Sequence, residues 1–125
     1  MSAAPRFGRL GEGERPAQGT EVFADLLAEG GARVERIVSR GAASPPGFWY
    51  AQDWTEFVLL VAGEAVLGFA DGTERRLMPG DWAVLPAACR HRVAWTDPAR
   101  ETVWLAVHLP PSPPASAGVS APPAA

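Results

Sequence analysis

Glu56 and His91 are the two side chains best suited to chemistry, and each stands in a run that otherwise reads as buried strand. Glu56 belongs to "GFWYAQDWTEFVLLVAG", residues 47–63, where aromatic and aliphatic residues surround Gln52, Asp53 and Glu56. A carboxylate turned toward an apolar interior is expensive to leave unpaired, so it is either solvated at a rim or used there to accept hydrogen bonds, hold a cation or move a proton. His91 lies in "HRVAW". An imidazole serves as ligand, acid or base when a partner on one ring nitrogen orients the other. Residues two apart in a strand share a face. His91, Val93 and Trp95 therefore look one way while Arg90 and Arg92 look the other. By the same alternation Tyr50, Gln52, Trp54, Glu56, Val58 and Leu60 share a face if their strand runs without a bulge. Glu56 and His91 are thus expected to meet inside one sheet structure.

The elements that must position them are short. From Ala32 onward the runs "ARVERIVSR", "FWYAQ", "EFVLLVA", "EAVLGFA", "TERRL", "WAVLP", "HRVAW" and "TVWLAVH" are rich in β-branched and aromatic residues and are separated by Gly, Pro, Asp and Ser. Such spacing predicts an all-β sandwich or barrel. "ADGT" at 70–73 carries the Asp-Gly pair of tight hairpins, while "AGE" at 62–64 and "PGD" at 79–81 predict further turns, so most of the sheet is expected to be antiparallel. Ahead of the strands, "TEVFADLLAEGG" places Val22, Phe23, Leu26 and Leu27 at helical spacing, with Thr20 as N-cap and Gly30 or Gly31 as stop, which predicts a short helix. Residues 1–19 and 110–125 are dominated by Pro, Ala, Ser and Gly; they read as a flexible arm and a disordered tail around a domain over 20–109.

Composition excludes several classes. At 125 residues there is room for one core. The net charge of −3 and eleven scattered arginines, with no lysine, give no basic patch for nucleic acid or an anionic membrane. One cysteine, Cys89, rules out an internal disulfide, and the opening residues have no apolar stretch of the signal-peptide kind, so a soluble cytoplasmic protein is expected. The longest apolar run, Phe57 to Ala62, is too short for a membrane helix. No Gly-rich phosphate loop with lysine and no G-x-S-x-G nucleophile setting occurs.

Over roughly Arg40 to His108 the sequence resembles the cupins, whose first motif has the form G-x5-H-x-H-x3,4-E-x6-G and whose second has the form G-x5-P-x-G-x2-H-x3-N. Glu56 is followed after six residues by Gly63, and Gly80, Pro86 and His91 fall on the second motif in register. The resemblance implies a small antiparallel β-barrel of the jelly-roll, double-stranded β-helix type, a homodimer, and a metal site built from the motif histidines and glutamate. The departures bear on that site. Tyr50 and Gln52 stand at the two first-motif histidine positions, Ser44 at the opening glycine, Ala88 at the glycine before the second-motif histidine, and Trp95 at the asparagine. Gln52, Glu56 and His91 remain as candidate ligands for one divalent ion, short of the two histidines and a carboxylate, or three firm ligands, that catalytic sites use. Asp53 could join only through a bulge.

The remaining candidates divide between packing and function. Trp95 and Trp104 are expected to wall the cavity beside Tyr50, Gln52, Glu56 and His91, favouring a planar or apolar ligand. Cys89 reads as a small buried hydrophobe. His108, at the end of the last strand, is expected to be exposed and without a role. Arg33 and Arg36, like Arg75 and Arg76, are expected on solvated outer faces. Two functional readings stand: a small-molecule binding or sensing protein with no tightly held metal, and a metal-dependent enzyme in which Gln52, Glu56 and His91 hold the ion. A third is a dimerising module with a vestigial pocket.

Overall fold

The computed structural model describes residues 4–111. The first three residues of the expected arm, and the expected Pro/Ala tail from residue 112 on, lie outside the described residues. Eight strands account for the regular structure: β1 (Glu21–Glu29), β2 (Ala32–Ser39), β3 (Glu56–Ala62), β4 (Ala65–Phe69), β5 (Glu74–Leu77), β6 (Trp82–Leu85), β7 (His91–Thr96) and β8 (Thr102–His108). They form a five-stranded sheet in the order β1-β2-β8-β3-β6 and a three-stranded sheet in the order β5-β4-β7. All pairings are antiparallel. The "FWYAQ" run is not a strand of its own; Tyr50 makes an isolated bridge to His91. Among the described residues no helix is long and apolar enough to cross a membrane.

The short N-terminal helix is not formed; its residues are β1. Gly30 and Gly31 adopt φ of 61° and 82°, the left-handed pair required by a two-residue hairpin whose twist matches that of the flanking strands. The chain therefore folds back on itself, and Glu21–Glu29 pairs with β2 instead of winding up. The register slips between Asp25 and Leu27. With Leu26 as the extra residue, Phe23 faces Ile37 on one side of the sheet and Leu27 faces Val34 on the other. A period of two interrupted by one extra residue produces the spacing that imitates a helix.

The core lies between the sheets. Val58, Leu60 and Trp104 from the larger sheet and Ala65, Leu67 and Leu77 from the smaller one form a buried cluster, joined by Leu85. Leu60 is fully buried, and a side chain of that size contributes about 2 kcal/mol on leaving water. The strands β3 and β4 belong to different sheets, and the corner between them turns at Gly63, with φ of 89°. A Cβ there would lie 2.5 Å from the Cα of Thr102, so no other residue fits without moving β8. The "AGE" turn is thus a corner between sheets, whereas "ADGT" closes the β4–β5 hairpin, with Asp71 Oδ1 accepting from the Thr73 amide and hydroxyl.

Residues 4–19 contain no strand or helix and cross the outer side of β1 and β2. Arg36, expected in solvent, is 3 % exposed and donates to the carbonyls of Leu10 and Glu14. Arg6 donates to the Leu26 carbonyl and Arg15 pairs with Glu101.

Candidate functional site

Strand register places most of the site. On the larger sheet Arg33 lies opposite His108, and His108 in turn opposite Glu56. The next row joins Glu35, Ala106 and Val58; the one beyond joins Phe23, Ile37, Trp104 and Leu60. These side chains share the inner face. His91 and Val93 come from β7 of the smaller sheet, opposite Phe69 and Leu67.

The segment carrying Tyr50 and Gln52 is tied to β7 by its backbone. The Tyr50 amide donates to the His91 carbonyl and the His91 amide returns a bond to Tyr50; the Ala88 amide donates to the Gln52 carbonyl. Ala88 adopts φ of 65°, the left-handed conformation that the glycine of the cupin motif supplies without strain. Through these bonds the two motif segments close on each other.

The result is a cavity of about 480 Å³ lined by residues of both sheets and of the 49–54 segment. Tyr50, Gln52, Glu56, His91 and Trp104 line it, as do Glu21, Glu35, Arg33 and His108. Gln52 Nε2 donates to Glu56 Oε1 at 2.7 Å. His91 is 6 % exposed; its Nδ1 donates to the Cys89 carbonyl at 3.0 Å, since a carbonyl can only accept. That fixes the tautomer and leaves Nε2 facing Glu56 Oε1 at 3.9 Å, beyond hydrogen-bond reach. Tyr50 stacks on the imidazole, with ring centroids 5.6 Å apart.

His108, expected to be exposed, is 9 % exposed and its ring is bonded at both nitrogens. The Trp54 indole N–H donates to Nδ1 at 3.0 Å, so Nε2 carries the proton and donates to Glu35 Oε1, also at 3.0 Å. Arg33 donates to the other oxygen of Glu35 at 3.3 Å and pairs with Asp25, placing it on the cavity wall instead of a solvated outer face. The sequence signal for His108 was present: Thr102, Trp104, Ala106 and His108 alternate onto one face. Glu35 follows from the same rule on β2. Glu21 could not be placed while its segment read as a helix.

Trp95 lies outside the cavity. The register of β7 against β4 slips between Val66 and Leu67, with Val93 opposite Leu67 and Trp95 opposite Val66. Ala94 is the extra residue, so alternation reverses after Val93 and Trp95 turns outward, 37 % exposed. Asp53 is exposed, and Cys89 is a free, half-buried thiol.

The electrostatic character of the cavity is negative. Burial pushes the Glu21 carboxyl up from its ordinary value, against the lowering effect of the Ser39 hydroxyl, and Glu35 adds to the rise. Burial likewise raises the Tyr50 hydroxyl, followed by the fields of Glu21, Glu56 and Glu35. Three carboxylates from β1, β2 and β3 thus act on one phenol.

The donor set does not fit the metal site of the cupin motifs. Gln52 turns its amide nitrogen, a donor, toward Glu56, and among the described residues no three His, Cys, Asp or Glu side chains converge as ligands for one ion.

No protein-family profile matches the sequence, nor does any curated protein. Solved structures do match. A candidate mannose-6-phosphate isomerase from Ralstonia eutropha is 47% identical, with a TM-score of 0.78, the alignment covering 85% of this chain and 99% of that one. A cupin superfamily protein from Desulfitobacterium hafniense matches at 17% identity and a TM-score of 0.65, covering 78% and 84% of the two chains. An RmlC-like cupin with a double-stranded β-helix fold from Methanocaldococcus jannaschii matches at 20% identity and a TM-score of 0.62, covering 79% and 87%. The motif spacing of Glu56, Gly63, Gly80, Pro86 and His91, the two facing antiparallel sheets and these structural likenesses agree, and the chain has the double-stranded β-helix fold of the cupins.

Proposed function

We propose that this cupin-fold protein binds a small organic molecule in the cavity between its sheets, with Glu56 and His91 as the recognising groups and no tightly held metal. The observation that carries the reading is the open pair itself: Glu56 Oε1, which accepts from Gln52, and His91 Nε2, which has no hydrogen-bond partner among the described residues, stand 3.9 Å apart on the cavity wall without bonding to each other. Such a gap suits a donor supplied by a ligand, because a ligand that displaced water from these acceptors without replacing its hydrogen bonds would leave them unsatisfied, at a cost of about 1–3 kcal/mol each. Gln52 steadies the carboxylate, and Tyr50, Trp54 and Trp104 supply flat apolar walls. Tyr50, Gln52, Glu56, His91 and Trp104 keep the ligand-binding role; Trp95 does not.

The metal-dependent alternative is disfavoured by the orientation of Gln52 and the lack of a converging ligand set among the described residues. The 47% identical relative raises a phosphorylated sugar as a candidate ligand. Among the described residues lining the cavity, Arg33 is the single cation, and it is already paired with Asp25 and Glu35. A phosphate would face three carboxylates with no free positive group, which opposes that choice.

The proposal includes a homodimer and a cytoplasmic location. Pairing is supported by an apolar stripe on the outer face of β3 and β6, where Phe57 stacks on Trp82 and where Trp82 and Val84 are 62 % and 51 % exposed. The free thiol of Cys89 suits a reducing compartment.

The deciding experiment is elemental analysis of untagged protein, together with a thermal-shift screen of small organic compounds on wild type, Glu56→Gln and His91→Ala. Metal-poor protein stabilised by compounds that no longer act on either variant is the expected result. Near-stoichiometric metal that is lost in both variants would overturn the metal-free reading and favour the metal-dependent enzyme.

A further inference from the structure

The chemistry of the lining narrows the ligand further, and this step rests on the binding reading above. Three carboxylates, Glu21, Glu35 and Glu56, line the cavity. Arg33 offsets one of them through its bond to Glu35. Glu21 is held by the Ser39 hydroxyl at 2.6 Å, and Ser39 in turn accepts from the Trp104 indole. Glu35 receives bonds at both oxygens, from His108 and Arg33. Glu56 differs: one oxygen accepts from Gln52, while Oε2 has no hydrogen-bond partner among the described residues. His91, 6 % exposed, aims the bare Nε2 of its fixed tautomer at the same space.

Both open groups are acceptors. A hydroxyl ligand could satisfy one of them with its single proton, whereas an ammonium carries two or three N–H donors and a positive charge for a surplus of carboxylates. The walls around them are the faces and edges of Phe23, Trp49, Tyr50, Trp54 and Trp104, which attract cations and accept a flat or aliphatic body.

We propose that the cavity is a receptor for a small organic cation, a primary or secondary ammonium on an apolar or aromatic body, whose N–H groups bridge the Glu56 carboxylate and His91 Nε2. A quaternary ammonium would satisfy the charge but not the acceptors, and an anion would satisfy neither.

Calorimetric titration of the full chain with probes of matched size tests the assignment: 2-phenylethylamine, 2-phenylethanol, phenylacetate and benzyltrimethylammonium, with mannose 6-phosphate as the sugar-phosphate probe. 2-Phenylethylamine is expected to bind about tenfold or more tightly than 2-phenylethanol, in line with hydrogen bonds to a charged group. Benzyltrimethylammonium should be weaker than the amine, and the two anions weakest. Glu56→Gln should remove the advantage of the amine over the alcohol, while Glu74→Gln, an exposed carboxylate on β5, should leave it intact. Indole proton resonances of Trp49 and Trp54 report whether a probe enters the cavity, and they also show that each variant is folded. If the alcohol, phenylacetate or mannose 6-phosphate shifts those resonances at lower concentration than the amine, the cation assignment is overturned while the binding reading survives. If no probe shifts them, both are overturned.

Discussion

The cavity holds two Glu/His pairs, and they differ in one respect. On one wall His108 and Glu35 meet at 3.0 Å, with Trp54 on the far nitrogen of the ring and Arg33 on the far oxygen of the carboxylate. On the other, His91 and Glu56 stand 3.9 Å apart, anchored from behind by the Cys89 carbonyl and Gln52. The first pair has its polar capacity used by the protein; the second is oriented and left open. Burial is similar in both, so depth is not what separates the closed pair from the open one. The separating feature is whether the fold supplies every partner, because a saturated network rigidifies while an oriented but open one keeps the capacity to accept a further donor.

Deleting the imidazoles in turn gives the largest expected contrast. His108→Ala strands the Trp54 indole N–H and one bond of Glu35 and should cost about 3 kcal/mol, whereas His91→Ala, which frees one hydrogen-bonded group, the Cys89 carbonyl, and removes the ring on which Tyr50 stacks, should cost about 1–2 kcal/mol. Urea unfolding midpoints compare the two, and equal losses would erase the distinction. Next in size, Trp54→Phe keeps the ring but removes the donor to His108 Nδ1, with an expected loss of about 1–2 kcal/mol by the same measurement. Ala88→Gly probes the turn that carries the open wall: relief of the left-handed backbone should stabilise the fold by about 1 kcal/mol, read as a higher denaturation midpoint. A glycine that destabilises would show that the turn holds no such strain.

The smallest effect concerns pH. The Glu21 carboxyl is raised above 4.5, first by burial and then by Glu35, against Ser39. A carboxyl that holds its proton more firmly in the folded state contributes stability that is fully present below the unfolded value and is lost as pH rises through the folded one. Glu21→Gln, which does not titrate, should therefore gain on wild type as pH rises from acid toward neutrality. Midpoints measured in parallel across that range check the sign, and a gap that narrows with rising pH would contradict it.

The open pair was legible in the sequence because each of its members follows a rule that needs no partner. Alternation turned Glu56 and His91 inward, and motif spacing put them in one family frame. The same alternation turns His108 and Glu35 inward from Trp104 and Ile37, yet the reading of His108 as exposed fails and Glu35 goes unmarked, since a histidine at a strand end looks the same whether it is exposed or bonded at both nitrogens. Trp95 and the predicted helix mislead for a shared reason. An extra residue at Ala94 and another at Leu26 reset the side-chain phase, and nothing in the local composition marks either position.

The amino-acid sequence by itself therefore determined the class of the fold, its turn points and the two residues that open into the cavity, because strand periodicity, glycine torsions and motif spacing are local properties of a chain. Tertiary structure alone decided which strand Glu21–Glu29 would become, where the bulges fall, and which Glu/His pair would be closed by Trp54 and Arg33. Those outcomes depend on register between strands distant in the chain, where a slip of one residue exchanges the inner face for the outer.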